Sequence, residues 1–536
     1  MLVQAADDKS GKMWIAISVI GLALVGVVAY DLIQPRHAIL RNYPVLKHFR
    51  YLFEAIGPEL RQYIVTSNNE ERPFSRDQRT WIYASSKRQN NYSGFGSDDE
   101  QEQSPNYVVI KHSAFPLSSV HPGDPGYDER HPIPAAKIMG RHRGRKKAFR
   151  PSSIVNISGM SYGSLSSAAI ESLNRGSRIA DCMHNTGEGG ISPYHQHGGE
   201  LIWQIGTGYF GCRDEGGQFS MDRLSETVAA NPVRAIEIKL SQGAKPGLGG
   251  VLPGSKVTAE IARTRGIPEG QTCNSPNNHS AFSDVDGMLD FVEEIADRTG
   301  LPVGIKSAVG DLKFWTELAG QMATTERGVD FVTIDGGEGG TGAAPLVFAD
   351  HVALPFKKGF SCVYKEFAKA GLHEDVVFIG SGKLGFPEAS VFAFALGCDM
   401  IAVAREAMMS IGCIQAQRCH TGNCPAGVAT QNRWLMRGLD PTLKADRLAN
   451  YVCTLRKEIE ALCRACGVPH PAFLGDDHVA IMDGRFGTST LFELFDYGAG
   501  WGRPSDRDCD QMLDVLTSDH TKFDISRLRS RLKIAS

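Results

Sequence analysis

Between residues 153 and 404 the chain repeats one pattern: a short apolar run, a glycine-rich loop, then a segment long enough for a helix. The runs are 153–157, 179–184, 203–205 running on towards 210, 235–240, 303–306, 331–334, 376–379 and 400–404. Strands that alternate with helices pair in parallel through right-handed crossovers, and eight such units close into a (β/α)8 TIM barrel of roughly 250 residues. The expected fold is therefore α/β, with the barrel over 151–431 and residues 242–276 as an inserted loop. An open doubly wound sheet is the competing topology.

At 536 residues the chain can bury a large core, and a formal charge of -3 with interspersed signs argues against a nucleic-acid surface. The basic run at 141–147 has no interleaved aromatic residues and reads as a solvated loop. The 12 cysteines form no secreted-type framework, which fits a reducing compartment.

Residues 14–30, WIAISVIGLALVGVVAY, carry no charge and lie between Lys12 and Asp31. At ~1.5 Å rise per residue, about 17 to 20 apolar residues cross the ~30 Å hydrocarbon core, so 1–31 is expected to be a tail and a transmembrane helix. Asp7 and Asp8 stand where a signal peptide needs basic residues, and no small-residue cleavage site follows. Arg36, Arg41, Lys47 and Arg50 follow the run, against Lys9 and Lys12 before it. The positive-inside rule then places a single-pass protein in the inner membrane with its catalytic domain cytoplasmic. Residues 32–150 are expected to form a juxtamembrane helical region, from the helical spacing of Leu46, Phe49, Leu52, Phe53 and Ile56, followed by a loop. Residues 432–536 read as a helical extension, in which Cys463 and Cys466 are packing residues.

In a barrel the chemistry gathers where strands end. Strand one runs into SGMSYGSLS, strand two into NTGEGG with Glu188, and strand four into KLSQGAKPGLGG from Lys239. Strand five ends on Lys306 and strand six leads into DGGEGGTGAAP. Lys239 and Lys306 end strands that should be buried, where a lysine needs an anionic partner: a reduced flavin, a substrate carboxylate or an internal ion pair. Glu188 is the acidic counterpart, available for proton transfer or for holding an amine. GSGKLG after strand seven matches a dinucleotide fingerprint, but Asp399 precedes the next strand instead of ending it, so NAD binding is not expected. Gly380, Ser381, Gly382 and Arg405 are candidates to cradle a single phosphate such as that of FMN.

Directly after strand eight, CIQAQRCHTGNCP places Cys413, Cys419 and Cys424 on one loop. Three close thiolates can hold three corners of an iron-sulfur cubane. Zinc with His420 as fourth ligand, or unligated thiols, are the other readings of the spacing.

Taken together, GMSYGSLS, NTGEGG, QGAKPGLGGVLPGSKV, GGTGAAP and CIQAQRCHTGNCPAGVATQ resemble the synthase domain of the glutamate synthase family across 153–431. The resemblance implies an FMN-bearing barrel with a 3Fe-4S cluster on Cys413, Cys419 and Cys424. It implies flavin contacts from Met160, Ser161, Lys306, Gly337, Gly382 and Arg405. The implied chemistry is reduction of 2-iminoglutarate, formed from 2-oxoglutarate and ammonia, with Lys239 and Lys306 as charge partners. The implied electron donor is a ferredoxin or an NADPH-oxidising subunit. Full-length family members begin with a glutaminase domain, where this chain has its apolar run. It is therefore expected to use free ammonium, another amine or a separate glutaminase. Two departures stand out: Ala404-Arg405 replaces a Gly-Thr pair, and 276–279 differs from a Pro/His-rich string. The second leaves open a different 2-oxo acid or a methylated amine, and the apolar run leaves open a membrane-bound electron-transfer module.

Overall fold

The structure, a computed structural model, describes residues 2–46, 48–124 and 127–518. The chain divides into two compact units, Met1–Arg79 and Thr80–Ser536. In the first, helix α1 (Leu2–Ile33) contains a 23-residue stretch, Gly11–Ile33, of mean hydropathy 2.3, in which only Asp31, near its end, is buried. That stretch is long and apolar enough to cross a membrane. Near its end the Asp31 carboxylate is fully buried, accepting hydrogen bonds from Val45 N (2.9 Å) and His48 Nε2 (3.0 Å). These bonds fold the chain through helix α2 (Ala38–Asn42) and start helix α3 (His48–Leu60) beside the end of α1.

The second unit is built on a closed parallel barrel of eight strands. They are β1 (Val155–Ile157), β2 (His184–Asn185), β3 (Leu201–Ile205), β4 (Val233–Lys239), β5 (Val303–Ser307), β6 (Phe331–Asp335), β7 (Val377–Ser381) and β8 (Met400–Val403). Pairing of Ile401 with Val155 closes the ring, which settles the topology against an open sheet. The helices that follow the strands include α4 (Ser167–Ala180), α5 (Met221–Ala230), α6 (Val285–Thr299), α7 (Lys313–Thr324), α8 (Phe356–Lys369), α9 (Pro387–Ala395) and α10 (Arg405–Ser410). Their starts follow from sequence: Ser166, Ser220 and Asp284 accept hydrogen bonds from N–H groups of the first turns of α4, α5 and α6. Most strand ends shift by one or two residues from the apolar runs, and two strands depart further. Helix α4 continues to Ala180 and turns at left-handed Asp181, so β2 (His184–Asn185) keeps only His184 of its run. Strand β3 starts earlier and stops at Ile205, because Gly206 and left-handed Tyr209 open a turn.

The floor of the barrel is plugged by residues 135–149, where Met139 and Phe149 pair and pack on Met183, Ile202, Phe331 and Met400. The basic run expected to be a solvated loop lies here. The Arg145 side chain is 6% exposed and pairs with Glu293 and Asp330, while Arg143 donates to Glu326 O and Met322 O. Their partners lie on α6, α7 and the loop before β6, so these arginines are structural pins, which composition alone does not reveal.

Helix α11 (Pro441–Cys466) packs along α4, and buried Arg456 donates to the carbonyl of Ala180 (2.8 Å) at the end of α4. The extension is not purely helical. Val479–Met482 pairs with Thr488–Ser489 and also with Val108–Ile110, which the sequence placed in a loop. The α4–α11 contact depends on Gly176, where an added Cβ would lie 2.8 Å from Ala445 O and from Leu448 Cβ. Replacing Gly176 by Val is expected to cost about 1–3 kcal/mol by overpacking, read as a lower denaturation midpoint. A midpoint equal to wild type would contradict this packing account.

Candidate active site

Strands β4 and β5 are in register such that Lys239 pairs with Lys306. Neighbours in register point the same way. Two ammonium groups are thus brought to one level of the barrel, and each takes a different carboxylate. Lys306 is 5% exposed, with Nζ 3.4 Å from Asp335 Oδ1 and donating to Ser158 Oγ at 3.4 Å. Burial pushes this ammonium down, but the carboxylates of Asp335 and then Glu237 outweigh it, so its pKa lies above the ordinary lysine value. Lys239 Nζ lies 3.0 Å from Glu188 Oε1 and donates to Gln242 Oε1 at 2.6 Å. His279 supports it from behind, its Nε2 3.0 Å from Lys239 O and its Nδ1 3.1 Å from Tyr209 Oη.

Burial raises the Glu188 pKa, yet Lys239, Lys245 and Arg265 together hold it below the usual carboxylate value. The group is therefore ionised at neutral pH and suited to accept a proton or hold a cation. Space around it is made by glycine. An added Cβ on Gly206 would lie 2.7 Å from Glu188 Oε2, and one on Gly250 would lie 3.0 Å from Oε1.

Sequence reasoning missed Glu237, which is 1% exposed beneath Lys306. Its Oε1 accepts from Asn185 Nδ2 (2.7 Å) and Gln204 Nε2 (2.6 Å), and its Oε2 from Thr333 Oγ1 (2.6 Å). The signal was available: Glu237 lies two residues before Lys239, on the same face of a strand. Asp335, which ends β6 and accepts from Gly243 N (2.9 Å), and Lys245, within GAKPG, were also missed.

On the opposite side of the rim, β7 ends at Ser381, which is 5% exposed, and Gly382 has φ +149°. Arg405, at the start of α10, donates to Glu338 O. The Glu338 carboxylate accepts from Phe356 N (2.8 Å) and lies next to Gly382, in the field of Lys383 and Arg405. Burial raises its pKa against that field. Lys383 and Arg405 together with the backbone at Gly382 form a donor set that suits a phosphate. Gly380 points elsewhere: its Cβ would meet Phe356 of α8 and Leu384 of the loop before α9, each at 2.8 Å. Gly337 donates to Leu354 O (2.9 Å). Met160 and Ser161 lie on the β1 loop, pressed against Gly187, whose Cβ would lie 2.5 Å from Ser161 N.

The three candidate cluster thiols lie on one loop whose backbone turns at left-handed Gln415, Gln417 and Gly422. Left-handed conformations at two glutamines are a local cost that surroundings must impose. Burial, and then the neighbouring Cys424, push the Cys419 thiol pKa up, and buried Lys256 donates to Cys419 O (3.0 Å). The Cys413 thiol takes the N–H of Gln415 at 3.5 Å. Among the described residues, no three His, Cys, Asp or Glu side chains are gathered closely enough to hold a single metal ion. The donor chemistry, three thiols with a neighbouring cation, fits a soft anionic cluster. The glycine-rich loop after β6 joins the two sides, since Cβ atoms would lie 2.6 Å from Arg405 Cδ at Gly340 and 3.2 Å from Cys419 Cβ at Gly342. A cavity of about 300 Å³ lies beside this rim, lined by Ser241, Ser307, Asp311, Phe314 and Trp315 but not by Glu188, Lys239 or Lys306.

Residues 134–469 match the family described as a conserved region in glutamate synthase. The chain is 37% identical over 500 residues to the glutamate synthase large subunit-like protein YerD of Bacillus subtilis, covering 86% of this chain and 94% of that one. It is 38% identical over 321 residues to the archaeal glutamate synthase [NADPH] of Methanocaldococcus jannaschii, spanning 59% of each. Among solved structures, a mandelate oxidase mutant with the monooxide FMN adduct aligns over 72% of this chain and 88% of its own, at TM-score 0.39 and 14% identity, too loosely to bear on function.

Two outcomes test the electrostatics. Lys306→Met leaves Asp335 and Glu237 without their buried cation and is expected to destabilise by about 3–5 kcal/mol in denaturant unfolding. Lys239→Met, opposite a carboxylate whose side chain is 19% exposed, should cost less. Equal costs would show that depth of burial does not rank these pairs. Because the folded Glu188 pKa is depressed, its stabilisation is present above the ordinary carboxylate value of 4.5 and lost as pH falls through the folded value. Glu188→Gln should therefore differ from wild type most at neutral pH and converge with it in acid; parallel stability curves would refute the assignment.

Proposed function

This chain belongs to the glutamate synthase family, and from that premise we propose that it makes glutamate from 2-oxoglutarate and ammonia by reducing 2-iminoglutarate. The observation that carries the proposal is the pairing of two rim cations, Lys239 and Lys306, with an ionised Glu188 beside them. In the condensation the carbonyl oxygen leaves as water. Two electrons and two protons then convert the imine to an amine. A substrate with two carboxylates needs cations, and Lys239, Lys245, Lys306 and Arg265 all act on this rim. Glu188 would hold the ammonium or iminium nitrogen, leaving Lys239 to a substrate carboxylate.

The residues that would hold FMN are Met160, Ser161, Lys306 and Gly337, with Ser381, Gly382 and Arg405 toward its phosphate. Cys413, Cys419 and Cys424 would hold a 3Fe-4S cluster. When bound, the cluster supplies single electrons and the flavin a hydride. The electrons would come from a ferredoxin or an NADPH-oxidising subunit, and the ammonia from solution or a separate glutaminase. Helix α1 would anchor the protein in the inner membrane, the larger unit cytoplasmic. Another 2-oxo acid, a methylated amine, or electron transfer alone are the competing uses of the same groups.

Protein purified anaerobically should carry iron and FMN. Supplied with an electron donor, ammonium and 2-oxoglutarate, it should form glutamate. Glu188→Gln should lower glutamate formation by about 10²–10⁴-fold while electron transfer to an artificial acceptor persists. A flavin that stays reduced in the full mixture, or unchanged glutamate formation in the variant, would sink the proposal.

A further inference from the structure

Helix α3 carries an apolar face that nothing in its own unit covers. Phe49, Leu52, Phe53, Ile56 and Leu60 fall within an arc of about 100° at helical spacing. No residue of α3 is buried, and Phe49 and Phe53 are 59% and 60% exposed. Arg50 and Glu54, which pair at 2.8 Å, lie outside this arc on the polar face. An amphipathic helix with so exposed an apolar face needs a partner.

The fold indicates which partner. Asp31 belongs to the last turn of the apolar stretch Gly11–Ile33, and it is also where His48, the first residue of α3, is held. The His37 ring meets the Tyr51 ring edge-on at 5.3 Å, a second tie between the turn and α3. The start of α3 is thus fixed at the end of the membrane-length stretch, the level of lipid headgroups if α1 spans. Between residues 34 and 61 the charges are Arg36, Arg41, Lys47, Arg50 and Arg61 against Glu54 and Glu59. This cationic excess next to an apolar arc is the composition of a helix lying in an anionic interface.

We propose that α3 lies in the headgroup layer of an anionic phospholipid bilayer, its Phe49–Leu52–Phe53–Ile56–Leu60 face toward the acyl chains, as a second membrane attachment beside α1. This rests on the reading of α1 as a span. The Asp31–His48 contact would set the depth of α3, and the arginines would meet lipid phosphates.

The test uses the full chain reconstituted in phosphatidylcholine vesicles with and without phosphatidylglycerol, labelled by a photoactivated carbene reagent dissolved in the lipid and mapped by mass spectrometry. Label is expected within 11–33 in both vesicles, and on Phe49, Phe53 and Ile56 at least about fivefold more with phosphatidylglycerol than without. The double variant Phe49→Ser, Phe53→Ser should lose most of the 48–60 label and keep that of 11–33. Label on 11–33 with none on 48–60 would mean that protein covers this face and overturns the proposal while α1 still spans. Equal labelling of 48–60 in the two vesicles would overturn its anionic character. No label on either stretch would instead bring down the anchor reading itself.

Discussion

Pairing of β8 with β1 is the constraint on which the site depends, because it turns eight parallel strands into a ring with every carboxyl end on the same rim. Residues far apart in sequence then meet with no further device. Ser158 after β1, Glu188 after β2, Lys239 at the end of β4 and Lys306 in β5 come together because they lie at or just beyond the carboxyl ends of strands in one ring. Register does the fine placement: a one-residue slip between β4 and β5 would turn one of the two lysines toward the helix layer.

Such a rim concentrates charge in a place with little water, and that is where balance becomes necessary. A lone buried ammonium is costly, and Lys306 is tolerated because Asp335 faces it from β6 and Glu237 lies beneath it. Glu237 in turn has its acceptor oxygens filled by Asn185, Gln204 and Thr333 from three other strands. The network is thus spread round the barrel wall, and its members are fixed by one another. Rigidity of this kind keeps a charged rim in one geometry, as catalysis through differential binding requires.

The sequence made legible what periodicity and glycine loops encode. The eight strands could be read from it, and the rim lysines, Glu188 and the residues proposed for the phosphate side, Ser381, Gly382 and Arg405, all lie near strand ends. What escaped were partners defined only in three dimensions. Glu237 looked like any polar residue of a strand until its neighbours in β2, β3 and β6 were known. Lys256 reaches Cys419 across 163 positions, a contact that no local pattern signals. Arg145 looked solvated because a run of basic residues usually is, whereas α6 and the loop before β6 supply it with carboxylates. Val108–Ile110 looked like loop because a three-residue edge strand acquires meaning only beside Val479–Met482.

The loop after β6 shows how one segment couples two sites. Its glycines at 340 and 342 let the backbone pass within side-chain contact of Arg405 on the proposed phosphate side and of Cys419 on the thiol loop. Any larger residue at Gly340 would displace the Arg405 side chain, and at Gly342 a Cβ would sit in tight contact with Cys419. The two candidate cofactor sites therefore share one wall, and a change in the position of that wall is felt by both. Under the proposed function this wall would lie between the flavin's phosphate end and the cluster, and its glycines would let both groups approach the backbone closely.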